Sequence, residues 1–371
     1  MSELARTLVR AACVVLAAAL VACGVDDPGE TRDAGLSAGR DGGAADAAAL
    51  DAGLELDAAA RLDAASARDA SAARDASSAD AGPATVTHTY RVWVWNVAGN
   101  LLHRGRTDDG LIDVAVSSIE ARDADFVGFN ELCFSQYRAL QAALRAAGWP
   151  EDPDNFSRFS ETRSAVPSIC AGTTFGNAIF SRSPLGSAVD LTLPSDGSIE
   201  QRSMLCAPLR SLPHMRFCTT HITTSNSVGA DGVADNARQL RAVLAELEER
   251  HLAGDTVLIA GDFNAQPHYA RLNRFYAPSL DLPINDGNVG QYRELDDDDP
   301  AHCLGYGERT TEGTTLDPCG GMGTKIDLIF ARETAIVGPY EGDSLSISSA
   351  CGGPCSDHRI VIGTVTLRVR E

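Results

Sequence analysis

The sequence predicts an α+β domain in which two β-sheets face each other with helices outside. Three observations carry this. Strand-like and helix-like segments alternate near both ends of the domain, four strand-like segments follow one another in the middle without a helix, and polar residues recur where apolar runs stop. Consecutive strands without helices form antiparallel meanders, and the flanking helices then cover the outer faces.

In chain order, residues 1–22 have Arg6 and Arg10 ahead of an apolar run from Ala11 to Ala22. A charged start followed by an apolar core too short to span a bilayer is the layout of an export signal. Leu20-Val21-Ala22-Cys23 resembles a bacterial lipobox, which implies cleavage before Cys23 and lipidation of its sulfur and new amino terminus. Several acyl chains on one residue anchor stably. Gly24 follows where inner-membrane lipoproteins often carry Asp, so an outer-membrane, cell-envelope location is expected. Residues 23–83 are rich in Ala, Asp, Gly and Ser, and 24–83 hold 13 acidic against 5 basic residues with no aromatic. Such a segment cannot bury enough apolar surface to offset the entropy of ordering, so it reads as a disordered tether.

Residues 84–371 suffice for one domain with a large core. Thr87–Val97 alternates as a strand, with Tyr90, Val92, Val94 and Asn96 on one side and Trp93 and Trp95 read as core. Leu111 to Ile119 has helical spacing, 125–129 is a short strand ending at Asn130-Glu131, and 136–147 is an amphipathic helix. Strands are expected at 175–180, 187–193, 202–209 and 216–224, and a long helix at 235–252. Thr256 to Ala260 is an apolar run that stops at Gly261-Asp262-Phe263-Asn264; further strands are expected at 325–331 and 360–369. Asp262 and Asn264, two apart on an extended chain, point the same way. The acidic run Asp296 to Asp299 reads as a solvated loop rather than a Ca2+ site.

Eight cysteines lie in the domain: Cys133, Cys170, Cys206, Cys218, Cys303, Cys319, Cys351 and Cys355. An even number in an exported chain reads as four disulfides. Spacing favours Cys206 with Cys218, Cys303 with Cys319 and Cys351 with Cys355, leaving Cys133 with Cys170, although sequence alone leaves the pairing open.

The polar strand ends collect the chemistry: Asn96, Glu131, Asn177, His221, Asp262, Asn264, Asp327, Asp357 and His358. Glu131 alone could be a cap for the following helix. Asp327, inside the apolar Lys-Ile-Asp-Leu-Ile-Phe, needs a partner, and His221 or His358 can supply it. An Asp–His pair fixes the imidazole tautomer and raises its basicity.

These blocks resemble the endonuclease/exonuclease/phosphatase family: Trp95-Asn96-Val97, Asn130-Glu131-Leu132, Gly176-Asn177-Ala178, Thr220-His221-Ile222, Gly261-Asp262-Phe263-Asn264, Lys325-Ile326-Asp327-Leu328 and Ser356-Asp357-His358. The resemblance implies a four-layer α/β/β/α sandwich that cuts phosphodiesters with a divalent cation, Mg2+ first, with Mn2+ or Ca2+ as alternatives. It implies Glu131 as main metal ligand with Asn96 and Asp357 nearby, and Asp262 and Asn264 orienting water and phosphate. Asn177 would contact substrate, His221 would bind the phosphate or protonate the leaving oxygen, and His358, polarised by Asp327, would be general base or phosphate contact. Asn130 stands where the family usually has Gln. Ala98 replaces the Asp that marks abasic-site repair enzymes.

The net charge of −20 excludes a long-range basic field for gripping nucleic acid. A polyanion would have to be held locally. The expected function is an exported, monomeric nuclease for DNA or RNA. The alternatives are a sphingomyelinase-like phospholipid phosphodiesterase, with Phe275-Tyr276 as the nearest membrane-entering candidate, and a non-catalytic surface binding module.

Overall fold

The computed structural model describes residues 83–150 and 153–371. The expected signal, lipidation at Cys23 and tether lie outside the described residues. No helix among the described residues is long and apolar enough to cross a membrane.

Strands β1 (Thr85–Asn96), β2 (Phe126–Cys133), β3 (Ser157–Arg163), β4 (Phe175–Ser181), β11 (Ile336–Leu345) and β12 (Ile360–Arg370) make one sheet in the order β11-β12-β1-β2-β4-β3. Strands β5 (Val189–Thr192), β6 (Ser203–Pro208), β7 (Met215–His221), β8 (Thr256–Asp262), β9 (Tyr292–Glu294) and β10 (Asp327–Arg332) make the other, in the order β5-β6-β7-β8-β10-β9. Among the described strands, β1–β2 and β7–β8 are the pairs that run parallel, each joined by a helix: α1 (Leu111–Ala121) and α4 (Asp235–Leu252). Helix α2 (Phe134–Ala146) and the short α3 (Pro153–Phe156) complete the set.

Alternation on β1 builds two layers of core at once. Tyr90, Val92 and Val94 face the space between the sheets, with Phe126, Leu205, Phe217, Leu258 and Ile329. Trp93 and Trp95 face outward and are buried with Leu111, Ile119, Leu140 and Leu144 from α1 and α2. A third cluster joins α4, through Leu240, Val243 and Leu247, to the outer face of the second sheet. The four-layer sandwich follows. Both parallel pairs end at one rim, where Asn96, Asn130, His221 and Asp262 stand in register.

Three strands were not expected. β3 reads Ser-Arg-Phe-Ser-Glu-Thr-Arg, β9 has three residues, and β11 contains Gly338, Pro339 and Gly342 on a sheet edge. Edge strands with polar faces carry little periodicity. β2 continues through Glu131 to Cys133, so Glu131 does not cap α2. Gln136 does that work, accepting the Cys133 N–H at 3.0 Å.

The acidic run also differs from expectation. Asp296 and Asp297 are buried, Asp297 against Arg293 and Asp296 against Lys325. Lys325 is the sole lysine among the 31 basic residues of the chain. It is fully buried, with Nζ 3.0 Å from Glu294 and 2.7 Å from Asp296.

The four disulfides are Cys133–Cys170, Cys206–Cys218, Cys303–Cys319 and Cys351–Cys355. Cys133–Cys170 fastens the chain before β4 to the end of β2, two residues past Glu131. Replacing both of these cysteines by Ser is expected to cost about 2–4 kcal/mol, read as a lower urea midpoint with a steeper slope, because the uncrosslinked unfolded chain exposes more surface.

Candidate active site

Asp262 is the centre of the rim. It ends β8, is buried, and receives Asn96 Nδ2 on Oδ2 at 3.1 Å and the Asn264 N–H on Oδ1 at 2.9 Å. His221 Nε2 lies 3.6 Å and His358 Nε2 3.9 Å from the same Oδ2. Burial first, then the Asp327 charge, pushes the Asp262 carboxyl up to about 7. Gly261, at φ 146°, is required beneath it: a Cβ there would sit 2.1 Å from the Thr220 carbonyl oxygen.

Asp327 meets His358, not His221, with Oδ2 2.8 Å from Nδ1. Burial opposes a charged imidazole, but Asp327 and then Asp262 outweigh it and raise His358 to about 10. The outward-facing Trp95 helps place this histidine, its indole N–H donating to the His358 carbonyl at 3.0 Å. His221 is the opposite case. Burial, with Arg202 and His358 nearby, holds it well below its ordinary value, and its Nδ1 has no hydrogen-bond partner.

Glu131 closes the other side of the rim, at φ 56°, 3.2 Å from Asn96 Nδ2. Burial raises its pKa, and the Glu200 and Asp357 charges add to that. Asn96 thus bridges Glu131 and Asp262 with its nitrogen while its oxygen accepts the Ala98 N–H at 3.2 Å. Asn264 donates Nδ2 to the Ile222 carbonyl at 2.8 Å, and Asp357 is exposed at the rim.

Asn130, the departure from the family's usual Gln, clamps the two sheets together. Its Oδ1 accepts the Asp262 N–H at 2.9 Å and its Nδ2 donates to Asn177 Oδ1 at 3.0 Å. Asn177 is thereby fixed with its own Nδ2 unpartnered.

Sequence reasoning missed Glu200 and Arg202, which precede β6. Glu200 lies 4.0 Å from His221 Nδ1, and Arg202 Nη1 lies 3.2 Å from Glu200. Arg202 Nε is buried without a hydrogen-bond partner. No periodicity marks them; the one signal is two charges just before an apolar strand.

A buried carboxylate flanked by two imidazoles, with a second acidic group across the rim, is the equipment of a metal-assisted phosphodiester hydrolase. The chain belongs to the Endonuclease/Exonuclease/phosphatase family, whose pattern it matches over residues 94–358. Its fold is similar to that of an endonuclease/exonuclease/phosphatase from Beutenbergia cavernae, at 22% identity and TM-score 0.51, over 75% of this chain and 72% of that one. It is similar also to the human Nocturnin catalytic domain with bound sulfate, at 15% identity and TM-score 0.52, over 76% and 97%. A third likeness is D. rerio TDP2 complexed with a single strand DNA product, at 18% identity and TM-score 0.50, over 75% and 98%. No curated protein matches the chain.

Enzymes of this family use divalent ions, and the residues present fit one. The charges of Glu200 and Asp357 bear on the buried Glu131 carboxylate, a repulsion that a hard cation with oxygen ligands would relieve. Asp262, Asp327 and His358 form a second group whose ligand atoms lie within 4.8 Å of one another.

Proposed function

We propose that the chain is an exported nuclease hydrolysing phosphodiester bonds of DNA or RNA, held as a monomer at the outer membrane by lipid on Cys23 and reaching its substrate through the 23–83 tether. The observation that carries the nuclease reading is the pair of unpartnered donors around the rim, Arg202 Nε and Asn177 Nδ2. Buried donors without acceptors suit an anionic ligand. The likeness to TDP2 with a DNA product supports nucleic acid as that ligand. The sphingomyelinase-like reading loses its membrane-entering candidate, since Phe275 and Tyr276 are both buried.

Glu131, with Asp357 alongside, would hold the metal; Asn96, turned by its bond to Ala98, orients the Glu131 and Asp262 carboxylates. When bound, such an ion would supply positive charge to offset the negative charge that develops on the phosphoryl group. Asp262, with a pKa of about 7, takes the proton of the attacking water at neutral pH. His358, kept protonated by Asp327, and Arg202 meet the phosphoryl oxygens. His221, neutral in the free site, takes up a proton from solvent when the negative charge of the bound phosphate raises its basicity; as imidazolium it donates to the phosphate, passes that proton to the leaving oxygen and returns to the neutral ring.

The test is hydrolysis of plasmid DNA, RNA and sphingomyelin in parallel, in Mg2+, Mn2+, Ca2+ or EDTA. Cleavage of nucleic acid that EDTA abolishes is expected; cleavage of sphingomyelin alone would transfer the proposal to the lipid reading. No cleavage of any of them would point to a binding module.

A further inference from the structure

One basic groove beside the site takes no part in that chemistry. Both its walls grow out of catalytic strand ends: α4 from the segment that leaves His221, and the turn Ala270–Leu272 from the segment that leaves Asn264. Between them lies a cavity of about 280 Å³, lined by Leu240, Leu244 and Phe275 on its apolar side and by Arg241, Arg271 and Arg274 on its charged side. No carboxylate lines it. Elsewhere on α4 the arginines are neutralised, Arg238 by Asp231 and Asp235, and Arg250 by Glu246.

The groove is tied to the site through Arg271. Its Nη2 donates to the Asn264 carbonyl at 3.3 Å and its guanidinium lies 4.3 Å from the Tyr269 ring centre. Arg241 and Arg274 are exposed on either side of it, one from each wall.

We propose that this groove is a track for the sugar–phosphate backbone of a nucleic-acid strand whose scissile phosphate occupies the active site. The inference rests on the nuclease reading and adds to it a second, non-catalytic phosphate contact. Guanidinium groups bind phosphate oxygens through paired N–H donors, and the apolar wall offers contact to sugar or base. On a chain of net charge −20, a long polyanion gains little from the overall field. A local run of arginines continuous with the site supplies the attraction only where the strand must lie.

The test compares the full chain with the Arg241→Gln/Arg274→Gln double variant. Arg122→Gln/Arg368→Gln serves as control for the same loss of charge: Arg368 sits on β12 opposite the start of β1, far from the rim. Binding of a fluorescein-labelled oligothymidylate of about 16 nucleotides is followed in EDTA across a salt series. Hydrolysis of bis(p-nitrophenyl) phosphate, too small to reach the groove, is followed in Mg2+.

Two lost contacts to a single strand should lower the log–log salt slope by about 1.4 and weaken binding roughly tenfold at low salt. The small diester should be cut as fast as by the parent, and the control should bind as the parent does. An unchanged slope, or a loss equal in the control, overturns the track even if the nuclease reading stands. So does a fall in small-diester hydrolysis, which would place the arginines in the site itself. Dependence of anionic-vesicle binding, but not oligothymidylate binding, on these arginines overturns it in favour of a membrane. If the parent cuts no nucleic acid, the nuclease reading fails and overturns the track as a guide for a scissile strand, whatever the oligothymidylate slope shows of the groove.

Discussion

Asp262→Asn is expected to lower kcat by about 10²–10⁴ on whichever phosphodiester the parent cuts, while leaving the fold intact. The replacement keeps shape and keeps an oxygen for the Asn264 N–H. It removes the one carboxylate that both imidazoles approach. Stability should move the other way with pH. Folding raises the Asp262 pKa from 3.8 to about 7, so the folded state binds its proton more tightly than the unfolded chain. The stability linked to that proton is fully present below pH 4 and is lost as pH rises through 7. The variant has no such proton to lose. Thermal melts in EDTA at pH 4, 6 and 8 should therefore shift in the variant's favour as pH rises. A difference independent of pH would mean that Asp262 is not strained by burial.

Lys325→Met should destabilise the domain by about 3–5 kcal/mol, or roughly 10 °C in Tm. The cause is what remains: Glu294 and Asp296, both buried, would face each other without a cation. Burial already raises Glu294 to about 7, with Lys325 opposing that rise. Without the lysine the Glu294 carboxyl would bind its proton more tightly, so the loss should be larger at pH 8 than at pH 5. Melts of parent and variant at the two pH values check this. Lys325→Arg is not a safe repair, since Gly307 is packed so closely that a Cβ there would lie 2.4 Å from Nζ.

Much of the site was legible because its residues end strands. Asn96, Glu131, His221, Asp262 and Asp327 interrupt or close apolar runs, and a polar group in such a place has few bland explanations. The pairing of Asp327 was left open between two histidines, since that depends on how the two sheets are offset. Glu200 and Arg202 stayed hidden in an irregular segment, where no period distinguishes inward from outward. The burial of Asp296 and Asp297 was missed for a related reason: four consecutive aspartates look solvated until the partner, 29 residues away from Asp296, is placed beside them. Edge strands β3, β9 and β11 escaped because their polar faces hide the alternation.

The isolation of Lys325 gives the folded domain an unusual outer chemistry. Every basic side chain it shows to solvent, histidine aside, is a guanidinium, which keeps its charge to strongly alkaline pH. Reagents and enzymes that seek lysine amines meet only one, sealed two residues before Asp327. A protease that cuts solely after lysine would find the native chain closed and the opened chain cleavable at a single bond. The yield of its two fragments would count the molecules in which the sheet bearing Asp327 has come apart.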